Sequence, residues 1–157
     1  MPTTLLNVPH IYQRDRTDCL PSCVEMVLSF LGQPISRRRI NQILEPTLIG
    51  TPGFRLLRLR NYGYDVTYAA AIDERPLTEA LAAGLAPIAL LLTRNLPHWK
   101  RETAHAVVII GMDAHTVYLN DPAFPTAPQA VPRDCFLLAW SDFDMLYAVI
   151  RPISPSD

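Results

Sequence analysis

The sequence predicts an α+β fold in which N-terminal helices pack against one end of a C-terminal antiparallel sheet. Apolar side chains recur at helical spacing through the first third of the 157-residue chain, and alternating or continuous apolar runs follow from residue 64 onward. Helices followed by strands in this order are typical of the α+β class. We expect one domain over residues 1–151, since domains cluster at about 100–150 residues. Residues 152–157 are expected to form a short C-terminal tail.

Three helices are predicted before residue 64. The first covers residues 19–31, with Pro21 in the first turn, where the missing N–H of proline costs no hydrogen bond. Ser36 is the expected N-cap of the second helix, because its side-chain oxygen can accept a hydrogen bond from the first turn. A third helix is expected over about residues 52–61, with Gly63 as its stop.

Strands are predicted from residue 64 onward. Tyr64, Val66 and Tyr68 alternate as in a strand, and the continuous apolar run 87–92 is typical of a central strand that is buried on both faces or of a buried helix turn. The apolar runs 105–111 and 116–120 flank a four-residue turn, so they predict a hairpin. The other expected elements are a helix over 76–83, a Pro-rich loop over 122–132, a helix over 134–140 and a strand over 146–150.

Composition and charge exclude several classes of protein. The formal charge is −1, so the chain lacks the basic excess of a nucleic-acid-binding protein. Its two arginine groups, residues 37–39 and residues 55, 58 and 60, are interpreted as solvated helix faces. The longest apolar runs are far shorter than the roughly 20 residues that span a bilayer, and the N-terminus lacks signal-peptide features. With three cysteines, an odd number, a cytoplasmic protein without membrane insertion is predicted.

Cys19 is the first candidate catalytic residue, because it opens the first predicted helix. The helix dipole and the free N–H groups at a helix start stabilise a thiolate and lower the pKa of cysteine below its ordinary value of about 8.5. Asp18 directly precedes Cys19 and opposes this effect if its carboxylate points the same way. From position alone, a buried and unreactive cysteine is the alternative.

His105 and Asp121 are the candidate partners of this thiol. A thiolate nucleophile needs a histidine as base and acid, and the histidine needs a group that fixes its tautomer. His105 begins the first strand of the predicted hairpin, and Asp121 ends the second. We expect residues near 105 to lie opposite residues near 121 or 122, where side chains on one face are about 5 Å apart. The other histidines, His10, His98 and His115, are expected at the surface.

Gln13 lies six residues before Cys19 and is a candidate for the oxyanion hole. Its amide and the backbone N–H of Cys19 can both point at the oxygen that becomes negative in a tetrahedral intermediate. A surface position is the alternative for Gln13. Two aromatic residues near the proposed cleft, Trp99 and Phe124, are interpreted as loop anchors in preference to substrate contacts.

The other cysteines are interpreted as structural. Cys23 follows Cys19 by one helical turn, and core packing is favoured over a reversible bond between the two sulfurs. A metal site built on Cys19, Cys23, Cys135 and a histidine is disfavoured, because no Cys-x-x-Cys or His-x-x-x-His spacing accompanies it. We therefore expect no metal and no cofactor.

Two stretches of the chain form a paired motif. One is Gln13-Arg-Asp-Arg-Thr-Asp-Cys19 with a helix that ends in Leu31-Gly32; the other is His105-Ala-Val-Val-Ile-Ile-Gly111 with Val117-Tyr-Leu-Asn-Asp121-Pro122. A weaker third stretch joins residues 136–141 to the strand Ala148-Val-Ile150. Together they resemble the bacteriocin-processing peptidases that remove double-glycine leaders.

This resemblance implies a papain-like fold and a role for each motif residue. Cys19 would be the nucleophile, His105 the base, Asp121 its orienting partner and Gln13 the oxyanion donor. The family usually has glycine directly after the cysteine, where this chain has Leu20. Its peptidases are also often fused to the membrane and ATPase domains of an exporter, and no Gly-x-x-x-x-Gly-Lys phosphate motif occurs here.

The expected activity is therefore hydrolysis of a peptide or isopeptide bond, with a Gly-Gly-type leader as one substrate class. Two alternatives stay open: acyl or peptidyl transfer by the same thiol, and a non-catalytic peptide-binding domain of the same fold. The expected partners are a peptide or protein substrate, such as a small precursor peptide, and an exporter or other partner protein. The sequence leaves the oligomeric state open.

Overall fold

The computed structural model describes residues 3–152 as helices on both faces of one six-stranded sheet. The α-helices are α1 (Cys19–Phe30), α2 (Arg37–Leu44), α3 (Arg75–Ala82) and α4 (Arg133–Ser141). The strands are β1 (Tyr64–Ala70), β2 (Ile88–Leu92), β3 (Ala104–Met112), β4 (Thr116–Asn120), β5 (Gln129–Pro132) and β6 (Leu146–Pro152). The predicted tail lies outside the described residues except for Pro152, which ends β6.

All strand pairs in the sheet are antiparallel, and the order is β1-β6-β2-β3-β4-β5. This arrangement confirms the predicted α+β class. The central strands are buried on both faces, because successive side chains of a strand point to opposite sides. Leu90 and Val108 belong to the core under α1 and α2, whereas Leu91 and Val107 belong to the core under α3 and α4. The helices therefore cover both faces of the sheet and are not confined to one end.

The first two helices form where the sequence predicts them. α1 buries Cys23, Val24, Val27 and Leu28 and packs against β3. Ser36 accepts a hydrogen bond of 3.1 Å from the backbone N–H of Arg39, as expected of an N-cap.

The segment from Gly53 to Tyr62 differs in type from the prediction, because it is a 3-10 helix and ends at Gly63. Gly53, its first residue, approaches the sheet closely, since a Cβ at this position would lie 2.7 Å from Leu90 and 2.9 Å from the hydroxyl of Tyr68. The segment therefore lies directly against the sheet, with Leu56 and Leu59 fully buried.

The interpretation of the arginines as solvated helix faces is wrong for three of them, Arg37, Arg55 and Arg58, whereas Arg60 is exposed as expected. Arg37 is buried between α1 and α2. Arg55 and Arg58 donate to the carbonyl oxygens of Leu44 and Ile43 at the end of α2, while Arg60 donates to the carbonyl of Val66. These side chains satisfy carbonyl groups that a helix end or a strand leaves free. Arg38 and Arg39 are exposed as expected.

The predicted hairpin forms from β3 and β4, but its register differs from the expected one. Val108 lies opposite Asn120, and continuing the ladder by one residue would pair Val107 with Asp121. Asp121 is therefore level with a position two residues beyond His105. A bulge between Ile109 and Gly111 shifts the ladder. Because strand residues two apart share a face, His105 and Asp121 still point to the same side.

A strand that the sequence analysis missed completes the sheet. β5 lies inside the predicted Pro-rich loop and pairs with β4 from Gln129 to Pro132. It is an edge strand, the position where proline is tolerated because one side of the backbone needs no ladder hydrogen bond.

Candidate active site

Cys19 is the first residue of α1, and its sulfur lies among hydrogen-bond donors. The backbone N–H groups of Leu20 and Ala106 both donate to the sulfur, one from the helix start and the other from β3. Asp18 occupies the N-cap position but forms no side-chain cap with the helix. The free N–H groups of the first turn therefore remain available to the thiol and to a group that binds in front of it.

Arg37 holds the carboxylate of Asp18, the residue before Cys19, in an ion pair. The guanidinium of Arg37 contacts Asp18 and also donates to Ser22 at 2.8 Å and to Glu25 at 2.7 Å. Asp18 and Arg37 are 12% and 8% exposed at their side chains. The ion pair thus offsets the negative charge that the sequence placed next to Cys19 and joins the start of α2 to α1.

His105 and Asp121 form a short hydrogen bond that fixes the histidine tautomer. Nε2 of His105 lies 2.6 Å from Oδ1 of Asp121, and both side chains are buried. Since the carboxylate accepts from Nε2, the nitrogen left for the hydrogen bond between His105 and the Cys19 sulfur is Nδ1. The structure therefore brings the three residues into one chain of hydrogen bonds: sulfur, imidazole and carboxylate.

Asp121 accepts three further hydrogen bonds. Oδ2 lies 2.8 Å from Nε2 of His98 and 2.8 Å from Nε1 of Trp99, while the backbone N–H of Ala123 donates to Oδ1 at 3.0 Å. The ring of Trp99 also packs edge-on against the ring of His105, with centroids 4.7 Å apart. Trp99 is thus a structural anchor of the His105–Asp121 pair, in agreement with the prediction that it anchors a loop.

The surface prediction holds for one of the three other histidines. His115 is exposed in the β3–β4 turn. His98 is 16% exposed at its side chain and bonds Asp121, and His10 is half-buried with Nε2 2.7 Å from the carbonyl oxygen of Phe124. His98 was missed because a loop has no periodicity that places a side chain. The one signal available was its position in the loop that leads into His105.

Burial and hydrogen bonding act in opposite directions on the pKa values of the three residues. Burial raises the pKa of Cys19, but the hydrogen bond and charge of His105 outweigh it and leave the value lowered. Burial lowers the pKa of His105, yet the hydrogen bonds with Asp121 and Cys19 raise it to about 9. For Asp121, the hydrogen bonds of His105 and His98 overcome burial and hold the pKa well below its ordinary value. The shifts of Cys19 and His105 therefore both favour a thiolate beside an imidazolium over the neutral pair.

A cleft of about 410 Å³ opens in front of Cys19 and His105. Its apolar wall comes from Leu90 on β2, Tyr68 on β1 and Leu146 on β6, and its opposite side from residues 49–53. The side chain of Leu20 is only 2% exposed and belongs to the core under α1. Leu20 therefore borders the cleft without filling it.

Gln13 lies beside this chain of hydrogen bonds but does not line the cleft. Its backbone N–H donates to the carbonyl of Pro122 at 2.7 Å, which fixes the N-terminal segment next to Asp121. Its side-chain nitrogen donates to the carbonyl of Asp15 at 2.9 Å. One of the two amide hydrogens is thus committed to Asp15.

Cys23 and Cys135 lie apart from this chemistry. Cys23 is fully buried in the core under α1, as predicted, and its burial raises the pKa well above the ordinary value. Cys135 packs against the core under α4. Within residues 3–152, no group of three or more His, Cys, Asp or Glu side chains is arranged to hold a metal ion.

Comparison with known proteins identifies the family. The sequence pattern of the Peptidase C39-like family matches residues 5–146, which is most of the chain. The chain belongs to the Peptidase C39-like family. The predicted resemblance to bacteriocin-processing peptidases is thereby confirmed.

Individual relatives agree with this membership. The chain is 26% identical over 114 residues to the lactococcin-G-processing and transport ATP-binding protein LagD of Lactococcus lactis subsp. lactis. That match covers 72% of this chain and 15% of LagD, so the chain spans a small part of the curated relative.

Two solved structures show the same fold. A protein described as a C39-like peptidase from Bacillus anthracis superposes with a TM-score of 0.80 at 17% identity, covering 99% of this chain and 100% of that one. A double-glycine-motif protease of an AMS/PCAT transporter, solved with its leader peptide, superposes with a TM-score of 0.71 at 18% identity over 97% and 99% of the two chains. The chain thus has the papain-like fold of C39 peptidase domains, as predicted.

Among the helices of residues 3–152, none is long and apolar enough to cross a membrane.

Proposed function

We propose that this protein is a cysteine peptidase that hydrolyses a peptide bond with Cys19 as nucleophile. The observation that carries the proposal is the continuous chain of hydrogen bonds from the Cys19 sulfur through His105 to the buried Asp121, at the wall of an open cleft. A thiolate in contact with an imidazolium is the activated form that attacks a carbonyl carbon.

Each of the three residues has a role in two steps. The Cys19 thiolate attacks the scissile carbonyl, and the His105 imidazolium gives its proton from Nδ1 to the leaving amine. His105 then takes a proton from water, which attacks the acyl-enzyme and releases the acid. Asp121 keeps Nε2 protonated and its charge stabilises the imidazolium throughout.

The backbone N–H of Cys19 and the side chain of Gln13 are the proposed oxyanion donors. Among the described residues, none accepts a hydrogen bond from the Cys19 N–H, which leaves it free for a developing negative charge. Gln13 would use its second amide hydrogen, or rotate its amide away from Asp15, when substrate enters. Apo enzymes often reach such contacts only in the substrate complex.

The substrate class proposed is a precursor peptide cleaved after paired glycines. Membership in the Peptidase C39-like family and the leader complex of the transporter protease support it. Leu20 stands where the family usually has glycine, but its buried side chain does not fill the cleft, so a Gly-Gly segment can still enter. An exporter that carries the precursor is the proposed partner, and the cytoplasm is the proposed location.

The first test compares Cys19→Ala with Cys23→Ala on a synthetic peptide that contains Gly-Gly before the scissile bond. Cys19→Ala should abolish cleavage and remove labelling by a peptide aldehyde, since no thiolate remains in the cleft. Cys23→Ala should retain both, because Cys23 is buried and bonds no catalytic group. Mass spectrometry identifies the products, and matched peptides with Ala-Ala or Leu-Leu measure the glycine requirement.

The same experiment separates the alternatives. An added amine that appears in the product would indicate acyl transfer in place of hydrolysis. Peptide binding without cleavage, together with an unlabelled Cys19, would contradict the proposed function and favour a non-catalytic peptide-binding domain.

A further inference from the structure

His98 contacts the buried carboxylate of Asp121 from the side opposite His105. Its Nε2 lies 2.8 Å from Oδ2, and its ring packs edge-on against Phe124 with centroids 4.9 Å apart. His98 does not line the cleft, so it is not placed to touch a substrate. Its contact with Asp121 therefore needs another explanation than substrate binding.

The four donors divide the two oxygens of Asp121 between them. Oδ1 accepts from His105 and from the backbone of Ala123, whereas Oδ2 accepts from His98 and Trp99. A carboxylate has about four lone-pair directions, so this one is fully used. Rotation of the carboxylate would break at least two hydrogen bonds in a fully buried site, where unpaired acceptors are costly.

Trp99 and His98 are not equivalent donors. Trp99 also covers the His105 ring, so its loss would disturb packing as well as hydrogen bonding. Among Cys19, His105 and Asp121, His98 contacts only Oδ2 of Asp121. Its substitution therefore tests mainly that one hydrogen bond.

We propose that His98 is a positioning residue, whose Nε2–H holds Oδ2 of Asp121 so that Oδ1 stays aimed at Nε2 of His105. This inference rests on the proposed function of Asp121 as the partner of His105. When this hydrogen bond is lost, Trp99 alone holds Oδ2, so the carboxylate turns more readily and His105 spends less time in the tautomer that presents Nδ1 to Cys19.

The experiment compares three substitutions of His98 in the full-length protein. His98→Leu removes the donor, His98→Asn keeps a polar group that is too short to reach Oδ2, and His98→Gln places an amide nitrogen close to the position of Nε2. The readouts are kcat and KM on the Gly-Gly peptide, the rate of Cys19 alkylation by iodoacetamide at pH 7, and the melting temperature.

We expect His98→Leu and His98→Asn to lower kcat roughly tenfold at unchanged KM, less than the 10²–10⁴ contributed by a group that itself transfers the proton. Both should slow alkylation of Cys19. His98→Gln should restore kcat and alkylation to near wild type. His10→Leu is the matched control, because His10 is a half-buried histidine that bonds Phe124 and does not contact Asp121.

Three results would overturn the inference. The first is a wild-type kcat in His98→Leu or His98→Asn. The second is equal impairment of all three variants in step with melting temperature, which would indicate packing alone. The third is the same loss of kcat in His10→Leu. If the wild type cleaves no peptide, the proposed function fails, and the alkylation rates still decide whether His98 acts through Asp121 on the thiol.

Discussion

Asp121 determines the charge state of the site at the scale of single residues. It is fully buried, and a carboxylate in that position stays ionised only when donors surround it. Its contact with Nε2 favours the protonated imidazole, and the imidazolium in turn favours the Cys19 thiolate. The reactivity of the sulfur thus depends on a residue that it does not touch.

The pH dependence of Cys19 alkylation tests this coupling. In the wild type, the thiolate should persist below the ordinary cysteine pKa, so iodoacetamide should react rapidly at pH 7 and more slowly only in acid. His105→Gln removes the hydrogen bond and the charge that lower the pKa of Cys19 most, and it leaves the burial that raises this pKa and the two backbone N–H groups that lower it. The midpoint of the rate profile should therefore move to a higher pH than in the wild type.

The alkylation of Cys135 is subtracted with the Cys19→Ala variant, measured over the same pH range. Identical midpoints in wild type and His105→Gln would mean that His105 does not control the thiol.

At the scale of elements, the sequence predicts the helices and strands that follow from periodicity. It does not predict features that depend on contacts between residues distant in the chain. The start of α1 at Cys19 and the cap at Ser36 follow from local sequence signals, as does the hairpin that carries His105. The bulge near Gly111 does not, and neither does the packing of the N-terminal segment at this point, where a Cβ on Gly111 would lie 2.6 Å from the side chain of Leu5. Such a contact joins residues more than a hundred positions apart and leaves no local pattern.

The same limit explains why the arginines were misread. The helical spacing of Arg37 is compatible with solvent, and only the packing of α2 on α1 places it beside Asp18. The pairing of Cys19 with His105 could be predicted from the sequence because Cys19 begins α1 and His105 lies next to the start of β3, but the second histidine on Asp121 could not.

Arg37→Met tests the link between α1 and α2. The substitution leaves Asp18 buried without its partner, and breaking a buried ion pair in this way costs about 3 kcal/mol of the free energy of unfolding. Urea denaturation measures the loss. Alkylation of Cys19 at pH 7 should also slow, because the charge of Asp18 next to the thiol is no longer offset.

Arg38→Met is the control for this prediction. Arg38 is exposed on the same helix, so its substitution should change the free energy of unfolding by less than about 0.5 kcal/mol. Adding Asp18→Asn to Arg37→Met should recover part of the stability, since it removes the more buried of the two carboxylates that lose their partner; Glu25 is the other. A double variant as unstable as Arg37→Met alone would assign the loss to packing of the arginine stem.

At the scale of the whole molecule, the candidate site joins parts of the chain that are distant in sequence. Cys19 comes from the helical layer on one face of the sheet, and His105 and Asp121 come from the hairpin. The loop before β3 reaches Asp121 through His98 and Trp99, while the N-terminal segment is held by the Gln13–Pro122 and Asn120–Val8 hydrogen bonds. Groups whose ionisation holds these parts together should make the stability of the fold depend on pH.

The His105–Asp121 pair therefore predicts a window of maximal stabilisation. Asp121 has a lowered folded pKa, so its contribution is present above the unfolded value of 3.8 and is lost as pH falls through the folded pKa. His105 has a raised folded pKa, so its contribution is complete below the unfolded value of 6.5 and is lost as pH rises through about 9. The free energy of unfolding that the pair contributes should be largest between about pH 4 and 6.5.

Urea denaturation of Cys19→Ala and of Cys19→Ala with Asp121→Asn, from pH 3 to 9.5, measures that contribution as a difference. The Cys19→Ala background removes the titration of the thiol, which has a lowered pKa and would change stability in the opposite direction at alkaline pH. The difference should be flat inside the window and shrink on both sides. On the alkaline side the decrease should be less than about 3 kcal/mol, because Cys19→Ala also removes the contacts with the thiol that help to raise the pKa of His105. A difference that does not vary with pH would mean that the pair is held by packing and neutral hydrogen bonds, and that the imidazolium does not form in the folded protein.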